Sequence, residues 1–282
     1  MAVYTISGAS TNVVYNLVGI RLVQVYDIGS NPLLPVGQRL RVMSYNVQWF
    51  RKINSQIPMQ QKILSDNNPD IIGLQELSQD GNIPSVGQTV LSGYTTILSN
   101  HNNYLGVSSK LPLYGTVTAD FANQDPNDIS AYNQTRAYIK TYFYFNGKKI
   151  CLLNSHLCLT PEYIYLQMQE LFDMAEDEEY VIITADFNTH FSSFGSYYDN
   201  TYKRFVDAGY HVLNNAPESG ITNTHTSSAT ATSLSQLTGN PDSIIVSGNI
   251  EVESIHFDTT KFQYLDGNPI DHIAVATTLV VH

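Results

Sequence analysis

Residues 181–188 read Val181-Ile182-Ile183-Thr184-Ala185-Asp186-Phe187-Asn188, an apolar, β-branched run that breaks into a carboxylate and a carboxamide. That composition predicts a buried strand whose C-terminal end carries the two polar groups. Three more runs share the arrangement. Asn46 follows Val42-Met43-Ser44-Tyr45, Glu76 follows Ile71-Ile72-Gly73-Leu74-Gln75, and Asn154, Ser155 and His156 follow Ile150–Leu153. In two others the polar group leads: Asp242 precedes Ser243–Ser247, and Asp271-His272 precede Ile273–Val281. If all these groups meet at one rim, the led strands must run antiparallel to the trailed ones. A doubly wound parallel sheet would collect ligand groups only at carboxyl ends. The expected fold is therefore an α/β sandwich, with two mixed, largely antiparallel sheets packed face to face and flanked by helices.

The remaining chain fits around those runs. Leu40–Tyr45, Leu105–Ser109 and Ala137–Phe145 are further strand candidates. The clearest helix is Pro161–Glu178, where Thr160 can cap, Pro161 suits the first turn, and Ile164, Met168, Leu171 and Ala175 share one face. A second is expected over Met59–Asn67 and a short one over Tyr202–Ala208, ending at Gly209. The 216–241 stretch, dense in Ser, Thr, Asn and Gly, reads as a long surface loop of the kind that is often functional. Residues 1–38 read as a small β-rich appendage closed by Asn31-Pro32-Leu33-Leu34-Pro35, and residues 39–282 as the domain that holds the chemistry.

With 282 residues, 43% of them apolar, the chain can bury a large core. No run approaches the roughly 18 apolar residues of a membrane span. The start, Met-Ala-Val-Tyr-Thr-Ile-Ser, lacks the pattern of a signal peptide. A net charge of −11 excludes a protein that coats nucleic acid by broad charge neutralisation. It leaves room for an enzyme holding a divalent cation, which reverses the field locally. Cys151 and Cys158 offer neither zinc-finger spacing nor a disulfide scaffold. They read as buried free thiols, a lean toward a reducing compartment.

Each polar residue has a plainer reading by itself. A lone Asp or Asn after a strand usually forms a turn or caps a helix. His156 could be a satisfied core histidine, Glu76 a solvated carboxylate, and Asp271 a cap after Pro269. Their joint occurrence at the ends of six runs is what favours a shared site.

Five segments carry a resemblance: Met43-Ser44-Tyr45-Asn46-Val47-Gln48, Ile72-Gly73-Leu74-Gln75-Glu76, Asn154-Ser155-His156-Leu157, Ala185-Asp186-Phe187-Asn188 and Asp271-His272-Ile273-Ala274-Val275. In that order they resemble the endonuclease/exonuclease/phosphatase superfamily, over roughly residues 40–282. The resemblance implies a four-layer, deoxyribonuclease I-like sandwich and Mg²⁺-dependent hydrolysis of a phosphoester, with Mn²⁺ or Ca²⁺ as substitutes. By motif position it implies that Glu76 is the principal metal ligand, with Asn46 and Asp271 assisting. Asp242 would orient His272, Asp186 and Asn188 would align the attacking water, and His156 would donate to a phosphate oxygen. Tyr104, in Tyr104-Leu105-Gly106-Val107, matches a phosphate-contacting tyrosine of abasic-site endonucleases. Arg136, in Thr135-Arg136-Ala137, matches an arginine on the phosphate side. One residue departs from the abasic-site pattern: Gln48 stands where those enzymes carry an Asp, which weakens a second metal site.

The chemistry agrees with these roles. A phosphate ester resists attack because its oxygens are already anionic, so a cation and fixed donors are what catalysis needs. Hard Mg²⁺ suits a site with a dominant carboxylate. The segment Asn240-Pro241-Asp242-Ser243 lacks the signature of inositol phosphatases and looks closer to deoxyribonuclease I. The leading expectation is a DNA endonuclease of low sequence specificity. A phosphomonoesterase or lipid phosphodiesterase is the second, and a non-catalytic binding module the third. Candidate substrate contacts are Arg51, Lys52, Lys203 and Arg204, with Tyr197, Tyr198 and Tyr202 as stacking groups. So few basic residues imply weak binding with a shallow salt dependence. A protein partner for residues 1–38 is conceivable on no positive signal.

Overall fold

A computed structural model describes residues 3–8, 11–18, 21–26, 39–48, 56–77, 83, 85–99, 104–128, 135–189, 201–213, 223–225, 233–263 and 271–282. The chain divides into two compact units, Met1–Gln38 and Arg39–His282. In the first, β1 (Val3–Gly8), β2 (Thr11–Val18) and β3 (Arg21–Tyr26) form an antiparallel meander, with Val3 opposite Asn16 and Val13 opposite Tyr26.

The second unit contains two six-stranded sheets. Along the chain come β4 (Arg39–Asn46), β5 (Ile71–Gln75), β6 (Thr95–Leu98), β7 (Gly106–Ser109), β8 (Tyr114–Asp120) and β9 (Ala137–Phe145). After them come β10 (Lys148–His156), β11 (Val181–Asp186), β12 (His211–Leu213), β13 (Asp242–Val246), β14 (Ile250–Phe257) and β15 (Val275–Val281). One sheet has the order β12-β13-β11-β10-β9-β8, the other β14-β15-β4-β5-β7-β6. β10 runs parallel to β11, and β4 to β5. β13 runs antiparallel to β11, and β15 to β4. Strands that end in a polar group thus lie beside strands that begin with one, as the trailing and leading positions require.

Apolar side chains fill the space between the sheets, among them Leu40, Val42, Ile71, Ile139, Leu152 and Ile244. Helices α1 (Gln56–Asn67) and α2 (Ser85–Val90) cover the outer face of one sheet through Met59, Ile63, Val86 and Val90. Helices α3 (Pro161–Ala175) and α4 (Lys203–Asp207) cover the other through Ile164, Met168, Leu171, Ala175 and Phe205. Each large apolar side chain so buried contributes about 1.5–3 kcal/mol. Cys151 and Cys158 are buried and unpaired.

The helices differ in detail from the sequence expectation. Thr160 occupies the N-cap of α3 with extended backbone but makes no capping bond, because its hydroxyl donates to Asp125 Oδ2. α3 stops at Ala175, and the Glu178 carboxylate beyond it receives Tyr142 Oη at 2.6 Å and Lys140 Nζ at 3.2 Å. α1 starts earlier than expected, at Gln56, with Pro58 in its first turn. The edge strands β8 and β14 escaped the sequence reading because exposed, polar positions dilute their apolar pattern. Among the described residues, no helix is long and apolar enough to cross a membrane.

Candidate active site

Strand register assembles the site. His156, the last residue of β10, lies opposite Asp186, the last of β11, and Asp186 lies opposite Asp242, the first of β13. In the facing sheet Asn46 ends β4 opposite Gln75, which puts Glu76 beside it. Glu76 and Asn188 each adopt a left-handed backbone, with φ of 51° in both cases. For non-glycine residues that conformation is costly, and it is commonest where a side chain must be re-aimed at a functional site.

Asn46 joins the sheets. Its Nδ2 donates to Glu76 Oε1 at 3.1 Å and to Asp186 Oδ2 at 2.9 Å, while its Oδ1 accepts the Gln48 backbone N–H at 3.0 Å. Asp186 is the common neighbour: Oδ1 accepts the Asn188 N–H at 2.9 Å, and Oδ2 stands 3.5 Å from His156 Nε2 and 3.7 Å from His272 Nε2. His272 Nδ1 lies 2.8 Å from Asp242 Oδ2, which also accepts from Thr224 Oγ1 at 2.6 Å. Gln48 Nε2 donates to Asp271 Oδ2 at 2.6 Å. The Asn188 side chain turns to the Leu157 carbonyl at 2.7 Å, which fixes the loop after β10.

The charges follow from this packing. Burial alone would lower His272, but Asp242, through its charge and hydrogen bond, and then Asp186 and Asp271 raise it to about 10. Burial lowers His156 to about 3, against the pull of Asp186, so its imidazole is neutral near pH 7. Burial opposes ionisation of Asp186, yet the two histidines and the donors Asn46 and Asn188 hold its carboxyl below the usual range. Glu76 is pushed up, first by burial and then by the charges of Asp186 and Asp271, with His272 and Asn46 opposing.

Among the described residues, two groups of side chains bring ligand atoms close enough to hold a metal ion, namely His225 with Asp271 and His272, and Asp186 with Asp242 and His272. In the second, the bond from His272 Nδ1 to Asp242 Oδ2 already orients the ring, so that pair resembles the carboxylate–histidine couple that tunes a proton-transfer group. Glu76 meets Asp186 through the Asn46 amide that both share.

A sequence profile of the Endonuclease/Exonuclease/phosphatase family matches residues 43–273. The chain belongs to that family. Its sandwich is similar to that of an endonuclease/exonuclease/phosphatase protein from Beutenbergia cavernae DSM 12333, with 16% identity and a TM-score of 0.64 over 86% of this chain and 72% of that one. Truncated TDP2 from Caenorhabditis elegans gives 19% identity and a TM-score of 0.64, covering 86% of this chain and 98% of that one. TDP2 from D. rerio, complexed with single strand DNA product, gives 16% and 0.63, covering 86% and 99%. At these identities the likeness is one of fold. A comparison with curated proteins finds no match.

A divalent ion fits this family member's site. Asp242 Oδ1 and Asp271 Oδ1 are buried and accept no hydrogen bond, which is costly for a carboxylate oxygen unless a cation serves it. Asp271 Oδ1 lies 3.8 Å from His272 Nε2, and the charges of Asp186 and Asp271 both act on Glu76. Hard carboxylate oxygens of this kind suit a hard divalent cation.

Several candidates from the sequence find other surroundings. Tyr104 sits beside Glu76 in the fold, its carbonyl accepting the Leu77 N–H at 2.8 Å. Arg136 immediately precedes β9, its charge acts on His156, and its Nε donates to Asp128 Oδ2 at 2.9 Å with both side chains buried. Asp128→Ala would strand that guanidinium away from water and is expected to cost about 3–5 kcal/mol. Urea denaturation measures it, and a loss below about 1 kcal/mol would contradict the pairing. Lys203 pairs with Asp207 at 2.5 Å; Arg204 pairs with Asp173 at 2.6 Å and lies over the Phe172 ring at 4.1 Å. Neither makes a contact with the site among the described residues. Tyr202 is no free stacking group: it is buried, its ring packs edge-on against Phe187 at 5.5 Å, and its hydroxyl meets Thr189 Oγ1 at 3.0 Å. Arg51, Lys52, Tyr197 and Tyr198 lie outside the described residues.

Within the 216–241 stretch, the described residues 223–225 are more than a surface loop. Thr224 is buried against Asp242, its carbonyl accepts the Ile273 N–H at 2.8 Å, and His225 packs against His272 with ring centroids 4.7 Å apart and planes tilted by 51°. No periodicity marks Thr224 or His225; their position in a long polar loop was the only available signal.

Proposed function

We propose that this chain is a Mg²⁺-dependent phosphodiesterase, an endonuclease that hydrolyses DNA with little sequence preference. The observation that carries the reading is Asp186: a buried, ionised carboxylate held by Asn46 and Asn188 and flanked by a neutral His156 and a charged His272. An anion in that position can orient a water and take its proton, and Asn188 fixes the direction of its lone pairs. The neutral His156 donates a hydrogen bond to a phosphate oxygen. The His272 imidazolium, steadied by Asp242, supplies positive charge and a proton where the leaving oxygen departs. Glu76 and Asp271, with Asn46 at their side, would hold the metal, which would supply positive charge to the phosphate. Tyr104 is the candidate to border the phosphate, whereas Arg136, held by Asp128, acts only through its charge on His156.

DNA is favoured over small phosphoesters by the deoxyribonuclease I-like segment at Asp242. The single strand DNA product bound to the D. rerio TDP2 adds support by analogy of fold alone. Arg51, Lys203 and Arg204 are the basic groups the sequence offers to duplex phosphates, and Lys203 and Arg204 would have to leave Asp207 and Asp173 to reach them. With a net charge of −11, few phosphate contacts form, so binding is weak.

Supercoiled plasmid incubated with the protein and Mg²⁺ is expected to be nicked, EDTA to abolish nicking, and excess Mg²⁺ or Mn²⁺ to restore it. Intact plasmid alongside turnover of a soluble phosphomonoester would replace the nuclease reading with the phosphatase one. No turnover of either would favour a binding module.

A further inference from the structure

The chemistry proposed above makes no use of His225, although the fold fixes it beside His272. Its backbone N–H donates to the Gly239 carbonyl at 2.9 Å, and its own carbonyl accepts the Thr238 N–H at 2.9 Å. The preceding Thr224 takes the Ile273 N–H on its carbonyl at 2.8 Å, and His225 and His272 form an antiparallel bridge. Paired residues of that kind carry their side chains to the same face. With Asp271 they form a group in which one ligand atom from each residue lies within 4.8 Å of the others.

Ring packing by itself would explain two histidines side by side, but not the third member. Asp271 Oδ1 is buried and accepts no hydrogen bond, and it stands 3.8 Å from His272 Nε2. The far side of each group is already held. Asp242 Oδ2 lies 2.8 Å from His272 Nδ1, and the Gln48 amide donates to Asp271 Oδ2 at 2.6 Å. Metal-ligating histidines and carboxylates are oriented in this way by partners on their other atoms. That leaves His272 Nε2 and Asp271 Oδ1 as the ligand atoms. A zinc ion bonded at about 2.0–2.1 Å keeps tetrahedral ligand atoms about 3.3 Å apart. Small side-chain rotations bring atoms within 4.8 Å of one another to that spacing. His225 and Asp271 are half-buried, so an ion can enter from solvent and water can complete its shell.

We propose that His225, Asp271 and His272 form an inhibitory site for Zn²⁺, separate in its donors from the centre that takes the activating cation. Two imidazoles and one carboxylate suit a borderline cation, whereas Mg²⁺ prefers oxygen donors and waters. The inhibitory role rests on the reading of His272 and Asp271 as parts of a phosphodiesterase centre. Coordination takes the lone pair of His272 Nε2, and the proton carried there passes to solvent. The leaving oxygen then lacks its proton donor, and Asp271 is lost to the activating ion. Withdrawal of Zn²⁺ returns both groups.

Anomalous scattering from a crystal of the full chain soaked in Zn²⁺ locates the ion without altering any residue. A peak bounded by His225, Asp271 and His272 is expected. A peak among Asp186, Asp242 and His272 alone, or no peak beside His225, would overturn the proposal. In solution, calorimetry in saturating Mg²⁺ should show Zn²⁺ binding, and His225→Gln should weaken it by at least about tenfold, as loss of a ligand requires. Zn²⁺ added to the Mg²⁺ nicking assay should stop the reaction. The half-inhibiting concentration should rise by the same factor in His225→Gln, each protein being referred to its own zinc-free rate. Equal affinity and equal inhibition in a variant that melts as a folded protein would overturn the proposal. Zn²⁺ bound through His225 in a wild type that does not nick DNA would keep the site and remove the nuclease reading on which its inhibitory role rests.

Discussion

Asp186→Asn is expected to lower plasmid nicking by about a thousandfold while leaving the fold intact. The substitution keeps shape and burial but changes the hydrogen-bond chemistry of a residue that accepts on both oxygens. Oδ1 takes the Asn188 N–H and Oδ2 takes Asn46 Nδ2. An asparagine amide offers one acceptor, so its NH₂ must face one of those donors. The negative charge that helps raise His272 also disappears, and with it the group able to accept a proton from water. Initial rates and a thermal melt on the same preparation provide the check. A loss below tenfold in a folded variant would mean that another group activates the nucleophile, and the role given to Asp186 would be wrong.

Gly73→Ala should have the largest effect on stability, about 3 kcal/mol or more. Gly73 lies in β5, facing Thr184 and Asn154 of the opposite sheet. A Cβ there would stand 2.5 Å from Thr184 Cβ and 2.6 Å from Asn154 Oδ1, and closer still to Thr184 Oγ1. Side-chain rotation could move an oxygen, but Thr184 Cβ moves only with the backbone of β11. The strain falls on buried polar ties between the sheets. Asn154 Oδ1 accepts Gln75 Nε2 at 2.8 Å, and its Nδ2 donates to the Leu74 and Gly106 carbonyls at 3.0 and 2.9 Å. Parting the sheets breaks these bonds and leaves their groups dry and unpaired, which costs more than the contact itself. It also separates Asn46 and Glu76 on one sheet from Asp186 on the other, so activity should fall with stability. Chemical denaturation decides it, and a midpoint unchanged within error would mean the sheets do not meet as described. Thr184→Ala in the same background should recover only part of the loss, since it removes Oγ1 and leaves Cβ.

Asn154 shows the limit of reading one residue at a time. In sequence it sits between a strand and His156, as Asp186 and Asn188 sit at the end of theirs. In the fold it faces the opposing sheet and ties it down. Thr224 and His225 show the converse, since they lie in a polar stretch without periodicity and yet brace Asp242 and His272. Arg136 and Tyr202 have the residue types of substrate contacts, but burial gives one a fixed anionic partner and the other a place in the core.

Composition and the order of apolar runs determined the architecture of this protein. Side chains on a strand alternate, and a residue bonded to a strand's end cannot leave that rim of the sheet. A polar residue just before or just after a run therefore reveals strand direction without any coordinates. Which atoms touch was decided only by tertiary structure. Register within one sheet aligns His156, Asp186 and Asp242, the left-handed turns at Glu76 and Asn188 aim their ends of the strands, and burial keeps His156 neutral while the neighbouring carboxylates keep His272 charged. Those properties depend on distance and on exclusion of water, and neither is encoded in the identity of a residue or its neighbours along the chain.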